Sequence, residues 1–174
     1  NSGLEFPNNK RITVNLAPAD LPKDSGRLDL PIALGILAAS GQVDAQALAG
    51  FEFAGELSLS GELRAVRGAL AMALALRKTA GRPQLVLPPG NAEEAALVPD
   101  SRVIRARRLL DVVHHFAPGG QAKDAEGIPL EQDPDGWVRV EPAPLQAPAP
   151  GLDMADVKGQ VAAKRALEIA AAGG

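Results

Sequence analysis

Cysteine is absent from this sequence of 174 residues, and aromatic residues make up only 3% of it. Without cysteine the chain has no disulfide scaffold, no thiolate zinc site and no cysteine nucleophile. Because aromatic side chains are so few, a core has to be built from leucine, alanine, valine and isoleucine, and the apolar share of 46% is sufficient for one.

Long apolar runs are also absent. No run reaches about 18 residues, so we expect no membrane span. No stretch has the pattern of a signal peptide. The chain begins at Asn1 and not at a methionine, which indicates a piece cut from a longer protein.

Charge and proline content divide the chain into three parts, although the net charge is only −3. Residues 1–116 carry 13 basic and 12 acidic side chains, which argues against a simple polyanion-binding protein but leaves room for a local basic patch. Residues 117–150 carry 2 basic and 6 acidic side chains and 7 of the 15 prolines, a composition typical of a semi-stiff linker. In that linker, Asp135-Gly136 predicts one small hairpin. Residues 151–174 are too few to fold alone.

Strand and helix patterns alternate along residues 1–116, which predicts an α/β or α+β domain. Alternating polar and apolar residues at 11–16 indicate a half-buried strand. Asp29 is expected to cap a helix that has no polar face and should be buried on nearly all sides. The predicted strands are 11–16, 51–57, 63–66, 84–87 and 102–104, and the predicted helices are 29–40, 68–79, 91–98 and 109–116.

The predicted core centres on the helix of residues 29–40, because every long side chain in its middle is apolar. The expected members are Leu34, Ile36 and Leu37 in that helix, and Val14, Phe53, Leu70, Leu74 and Leu87 around them.

A cluster of arginines is the strongest candidate for a binding surface. A guanidinium group is planar, always charged and able to bind phosphate through two hydrogen bonds, so the cluster is a candidate contact for a nucleic-acid backbone. A solvated surface and a subunit contact are the alternatives. The residues concerned are Arg102, Arg105, Arg107 and Arg108.

Other candidates for chemistry are weak. The adjacent His114 and His115 point about 100° apart on a helix and cannot share one metal ion, so we expect ordinary helix-end residues and no metal site. No pair of carboxylates has the spacing of a general acid and base. The sequence has no Gly-x-x-x-x-Gly-Lys-Ser/Thr loop to hold ATP phosphates, so we expect no useful ATP binding by this chain itself.

The last segment has a recognisable pattern. Asp156-Val157-Lys158-Gly159-Gln160 followed by an amphipathic helix resembles the entry to an AAA+ module of the magnesium-chelatase type. Upstream, residues 15–23, 26–38 and 55–64 resemble the ComM/YifB proteins, magnesium chelatase-like ATPases implicated in natural transformation. The resemblance covers residues 1–116 and 151–174, and several long blocks in the right order make it specific.

The resemblance implies that residues 1–116 form a domain similar to the proteolytic domain of Lon, with a ribosomal-protein-S5-like α/β fold that lacks its first strands here. Active Lon domains use a serine and a lysine. The resemblance places the serine position near Arg27, with Ser25 an ordinary loop serine, and the lysine position at about Leu70, with no lysine until Lys78. Because a lysine of lowered pKa activates the serine in such pairs, we expect no protease activity.

The resemblance further implies a non-catalytic accessory domain (1–116), a linker (117–150) and the start of an AAA+ module (151–174), in which Val157, Gly159 and Gln160 line part of an adenine pocket. The implied cofactors are ATP and Mg²⁺ in the full-length protein, and none in this chain. The implied partners are the protein's own AAA+ module, further copies in a homo-oligomeric ring, and DNA; no membrane is involved and the location is cytoplasmic.

Two other functions stay open. One is a subunit of a true magnesium chelatase, which drives metal insertion into a porphyrin. The other is a scaffold or assembly domain without a role on DNA.

Overall fold

A computed structural model describes residues 4, 7–16, 26–124, 126–142 and 153–173. The chain forms two compact units, Asn1–Ala143 and Pro144–Gly174. Each unit is described by itself below.

The first unit is built around a four-stranded sheet whose order is β1-β4-β5-β6. Strands β1, β4 and β5 are parallel, and β6 is antiparallel to β5. A separate antiparallel pair, β2 and β3, follows β1 in the chain. The strands are β1 (Phe51–Phe53), β2 (Glu56–Leu57), β3 (Leu63–Arg64), β4 (Gln84–Leu87), β5 (Val103–Ala106) and β6 (Trp137–Val140). The helices of this unit are α1 (Asp29–Ala39), α2 (Ala69–Arg77), α3 (Asn91–Ala96) and α4 (Leu109–Phe116).

Helices cover both faces of this sheet. On one face, Leu34 of α1 and Val112 of α4 share a buried cluster with Val86 and Ile104 of the sheet. On the other face, the small side chains of α2 and α3 pack against residues such as Leu85. The alternation follows from the two-residue period of a strand. The predicted α/β fold is therefore confirmed, with helices on both faces of the sheet; the S5-like label stays a prediction.

Five of the eight predicted core residues are less buried than expected. Leu34, Leu37 and Leu87 are buried as predicted, whereas Ile36 and Phe53 are only half-buried. Three expected members were wrong, because their side chains are 49%, 40% and 46% exposed; they are Val14, Leu70 and Leu74. Helix α2 instead buries Ala69 and Ala73, since small residues let it approach the sheet closely.

The strand predicted at residues 11–16 was also wrong. This segment has no β-strand assignment and pairs with no strand among the described residues. An alternating pattern needs a partner strand to become a ladder, and none is present beside this one. Asp29 is likewise not the cap of α1: its carboxylate accepts a hydrogen bond from the backbone N–H of Leu57 at 3.2 Å, which ties α1 to β2.

The sequence predicts a linker at residues 117–150. The described residues between 117 and 142 belong instead to the first unit. Trp137 and Val138 lie in β6, which pairs with β5, and do not form a hairpin around Asp135-Gly136. The prolines of this stretch fall in the connections, so they leave the β6 ladder intact. Residues 143–152 and Ser25 lie outside the described residues, as do Pro22, Lys23 and Asp24.

His114 fastens the connection between α4 and β6. Its Nδ1 accepts a hydrogen bond from the backbone N–H of Ala122 at 3.2 Å, so the ring proton sits on Nε2, which donates to the Glu131 carbonyl oxygen at 3.1 Å. The side chain is buried. This histidine is therefore a fully bonded core residue with a defined tautomer.

In residues 153–173, the described part of the second unit, the chain forms the helix α5 (Val161–Ala171), as the sequence predicts. None of its described residues is buried within this unit. Val161, Leu167 and Ile169 are among the exposed large apolar residues of the chain.

The burial of Leu34 gives a direct test of the fold. Replacing it by alanine should lower the free energy of unfolding by about 2–5 kcal/mol, because a fully buried leucine leaves both lost contacts and a cavity. Leu74→Ala is the matched control, with an expected cost below about 1 kcal/mol because that side chain is half exposed. Urea unfolding measures both, and equal costs would contradict the placement of α1 in the core.

Candidate nucleic-acid interface

Strand β5 separates the four arginines that the sequence analysis groups together. Arg102 precedes the strand, whereas Arg107 and Arg108 follow it. Five residues of a strand span roughly 16 Å, so Arg102 and Arg107 lie at opposite ends of the sheet. The four residues therefore do not form one continuous surface.

The arginines near the carboxyl end of β5 are paired with acidic side chains. Arg105 Nη1 lies 3.2 Å from Glu93 Oε1, and Arg107 Nη1 lies 3.5 Å from Asp133 Oδ2. Among the described residues, no carboxylate lies within 4.0 Å of the Arg108 guanidinium group, but the Arg108 backbone forms an isolated β-bridge with Glu62. Positive charge at this end is thus partly neutralised.

The hairpin of β2 and β3 closes the same end of the sheet. The backbone N–H of Leu63 donates to the Arg107 carbonyl at 2.7 Å, and that of Leu109 donates to the Gly61 carbonyl at 2.8 Å. These bonds fix the turn between β5 and α4. Arg64 of the hairpin faces Glu56 at 4.0 Å, a further neutralised cation.

Glu93 sits in the first turn of α3 and caps it. Partial burial opposes its ionisation, but hydrogen bonds from the backbone of Glu93 and Gly90 and from Arg105 outweigh that effect, so the pKa of Glu93 lies below its ordinary value. The Gly90 N–H donates to Glu93 Oε2 at 2.6 Å. Glu93 is therefore a firmly ionised partner of Arg105.

Asp111 occupies the equivalent position in the first turn of α4. Its Oδ2 accepts a hydrogen bond from the backbone N–H of Arg108 at 2.8 Å. Burial raises the pKa of Asp111, and the nearby Asp133 carboxylate raises it further. The hydrogen bond from the Arg108 backbone lowers this pKa but does not cancel the rise. Gly136 packs so closely that a Cβ at that position would collide with the Asp111 carboxylate. Asp111 is thus a buried cap held between α4 and the start of β6.

Arg102, at the amino end of β5, has different neighbours. It lines a shallow cleft together with Arg77, the last residue of α2, and Arg82, in the turn before β4. The sequence analysis does not single out these two arginines. The signal that could have found them is the basic stretch Arg77-Lys78 followed by Arg82, at the point where a helix returns to the sheet.

An apolar groove of about 580 Å³ lies between residues 7–16 and the outer face of α1. Ile32, Gly35 and Ile36 form part of its floor, and Ile12 and Val14 part of its wall. The groove explains why α1 is not buried on all sides as predicted. Its lining has no arrangement of nucleophile and base.

His115 stacks on Trp137 with ring centroids 4.2 Å apart and an angle of 13° between the rings. Burial lowers the pKa of His115.

Among the described residues, no three histidine, cysteine or acidic side chains are grouped in a way that could hold a metal ion. In the part of the chain that the structure describes, no helix has the length and apolar character that a membrane span requires.

Comparison with known proteins identifies the chain's relatives. The family model described as "Subunit ChlI of Mg-chelatase" matches residues 1–91. The competence protein ComM of Haemophilus influenzae is 48% identical over 173 residues, which are 99% of this chain and 31% of ComM. The protein YifB is 45% identical over the whole chain in Salmonella typhimurium and 42% in Escherichia coli, again across 31% of each relative.

The chain belongs to the magnesium chelatase-like ComM/YifB family. It spans about a third of the length of these relatives. As a ComM/YifB-family chain, it can be compared with the residues that the resemblance to Lon and to AAA+ modules singles out.

The resemblance to Lon singles out the positions of Arg27 and Leu70 in this ComM/YifB-family chain. Arg27 lies in a short 3₁₀ helix, Gly26–Leu28, where its carbonyl accepts a hydrogen bond from the Gly55 N–H at 3.2 Å. Leu70 is a partly exposed residue of α2. Neither side chain can act as a nucleophile or a base.

The predicted adenine-pocket residues lie in the second unit, just before α5. Gly159 and Gln160 have φ angles of 71° and 54°, so two successive residues in the left-handed region form a tight turn at the helix start. Val157, Gly159 and Gln160 are all exposed within this unit. They form an open surface and, by themselves, no enclosed pocket; their role in binding adenine stays a prediction.

The raised pKa of Asp111 predicts how stability depends on pH. The folded state binds the Asp111 proton more tightly than the unfolded state, so the contribution of this group to stability is largest at acidic pH and falls as pH rises through the raised pKa. The Asp111→Asn variant keeps an oxygen for the Arg108 N–H and does not titrate. We therefore expect the variant to gain stability relative to the wild type as the pH rises above about 4, the ordinary pKa of an aspartate.

Thermal or urea unfolding, measured over a pH series that starts below the ordinary pKa of an aspartate, gives the difference in stability between the two proteins. Leu34→Ala is the control, because it removes no titratable group and should stay offset from the wild type by a constant amount. A difference between Asp111→Asn and the wild type that is flat, or that shrinks with rising pH, would contradict the burial of an acidic cap.

Proposed function

We propose that this chain is a non-catalytic, Lon-like accessory domain of an ATP-driven DNA motor that acts in recombination of incoming DNA. The observation that carries the proposal is the 48% identity with a competence protein along 99% of the chain. Competence is the uptake of external DNA, so a protein needed for it has nucleic acid as its natural substrate.

The chemistry of the chain supports an accessory role. The Lon positions hold Arg27 and Leu70, and the sequence has no loop that could hold ATP phosphates. ATP and Mg²⁺ therefore bind in the remainder of the full-length protein. Val157, Gly159 and Gln160 would supply one wall of the adenine site, and α5 would pack with the module that follows it.

Assembly into a homo-oligomeric ring belongs to the same proposal. The ring would form through the AAA+ modules. The exposed apolar side chains of α5, which include Val161, Leu167 and Ile169, support a packing role for the second unit, since a lone helix of this length is marginal in water.

A subunit of a magnesium chelatase is the second candidate, because the matching family model is named for that enzyme. In that case the same ATP-driven ring would act on a metal–porphyrin reaction and would not respond to DNA. An assembly domain without a DNA role is the third possibility. The three candidates differ in what stimulates ATP hydrolysis.

ATP hydrolysis by the full-length protein distinguishes them. We expect duplex or branched DNA to raise the rate of hydrolysis several-fold, whereas heparin, a polyanion without bases, should raise it less. An unchanged rate with DNA, combined with metal insertion into a porphyrin, would support the chelatase. An unchanged rate with intact ring assembly would support the assembly domain, and both results would contradict the DNA motor.

A further inference from the structure

We propose that Arg77, Arg82 and Arg102 form a contact site for the phosphates of a nucleic-acid backbone at the amino end of the sheet. This site shares only Arg102 with the group of arginines singled out in the sequence. Only the choice of nucleic acid as the source of the phosphates rests on the proposed function; the site itself rests on geometry and charge.

Three separate elements bring the guanidinium groups to one cleft. Arg77 ends α2, Arg82 lies in the turn that leads into β4, and Arg102 leads into β5. The parallel pairing of β4 with β5 places the starts of both strands side by side, so residues 20 apart in the sequence become neighbours. The fold, and not the sequence spacing, creates this group.

The positive charge of the cleft is not neutralised by salt bridges. Among the described residues, no carboxylate lies within 4.0 Å of the charged nitrogens of Arg77, Arg82 or Arg102, and the same holds for the adjacent Lys78. One acidic residue, Asp100, lines the cleft. The three guanidinium groups thus exceed the acidic groups that line it by two charges.

Glu141 is a further acid to consider, because it follows Val140, the partner of Val103, while Arg102 precedes Val103. Its carboxylate is engaged 3.1 Å from Arg139 Nε. The contrast with the carboxyl end of β5 is clear, since Arg105 and Arg107 there have partners at 3.2 and 3.5 Å. The dipole of α2 favours cations such as Arg77 at its end, but it does not account for Arg82 and Arg102.

The backbone on both sides of the cleft is in a conformation that non-glycine residues rarely adopt. Arg82 has a φ of 45° and Asp100 a φ of 61°. In the described part of the first unit, no other non-glycine residue has a positive φ. Glycine or asparagine adopts the left-handed region with less strain than arginine does. The backbone conformation at Arg82 is therefore unfavourable for this residue type. Such strain is commonly retained where the side chain has a function.

The shape of the cleft suits a backbone and not a free small molecule. Its volume is about 10 Å³, roughly the room of one water molecule, so it cannot enclose a nucleotide. The three arginines that line it are exposed, so their guanidinium groups can instead contact successive phosphates from outside. Arginine suits this role because its planar group binds phosphate through two hydrogen bonds.

Binding of a fluorescently labelled DNA duplex to the 174-residue chain tests the proposal. The variant Arg77→Gln/Arg102→Gln removes two cations from the cleft. Arg67→Gln/Lys123→Gln is the matched control, because both residues are exposed, have no carboxylate partner within 4.0 Å and do not line the cleft. Fluorescence anisotropy is measured over a salt series from about 50 to 200 mM, the range in which phosphate contacts change affinity most visibly.

We expect the cleft variant to bind more weakly and to have a log–log salt slope shallower by about 1.8, which is two phosphate contacts at about 0.9 each. The wild type should then lose about twelvefold more affinity across the salt series than the variant does. The control variant should keep the wild-type slope. Equal slopes for both double variants, or no binding by the wild-type chain at the lowest salt, would overturn the proposal.

The variant Arg82→Asn separates a binding role from a structural one. Asparagine tolerates the left-handed conformation, so the melting temperature should stay equal or rise while DNA affinity falls. A lower melting temperature with unchanged DNA affinity would show that Arg82 serves the fold and would overturn its place in the site.

Inorganic phosphate distinguishes a backbone contact from a pocket for free phosphate. At equal ionic strength it should displace DNA no better than chloride does, and preferential displacement would overturn the backbone assignment. These results are independent of ATP hydrolysis. DNA-stimulated hydrolysis without binding at the cleft would refute the site alone, whereas binding at the cleft without stimulated hydrolysis would refute the motor alone.

Discussion

The pairing of β5 with both of its neighbours is the constraint on which the rest of the first unit depends. β5 bonds to β4 on one side and to β6 on the other, and its side chains enter the buried clusters on both faces of the sheet. Its two ends present arginines to two separate edges of the domain. The position of this one strand therefore sets the core and the distribution of positive charge.

The acid-rich segment between α4 and β6 determines which of those edges stays positive. His114 fastens this segment through Ala122 and Glu131, and the segment brings Asp133 to Arg107. Glu93 neutralises Arg105 in the same region. Within the described part of the chain, Arg102 and its neighbours Arg77 and Arg82 have no such partners, so positive charge at the amino end of the sheet is not neutralised by ion pairs. The domain thus separates a neutralised edge from a cationic one.

The sequence predicts those elements whose patterns are local. β4, a short apolar run bounded by prolines, and α4, a strongly amphipathic helix, lie where predicted. Residues 11–16 have an equally clear alternation but pair with no strand in the described part of the chain, and a strand depends on a partner that local sequence cannot reveal. The arginines show the same limit, because Arg102 and Arg107 are close in sequence and far apart along a strand, whereas Arg77 and Arg102 are distant in sequence and line one cleft.

The central claim is that this ComM/YifB-family chain meets DNA at the amino end of its sheet, and chemical modification of arginines tests it most directly. The chain is treated with phenylglyoxal, which reacts with accessible guanidinium groups, with and without a DNA duplex, and each site is quantified by mass spectrometry. The account predicts that DNA protects Arg77, Arg82 and Arg102 and leaves Arg67 as reactive as before. Protection of Arg107 and Arg108 in their place, or equal protection of all arginines, would contradict it.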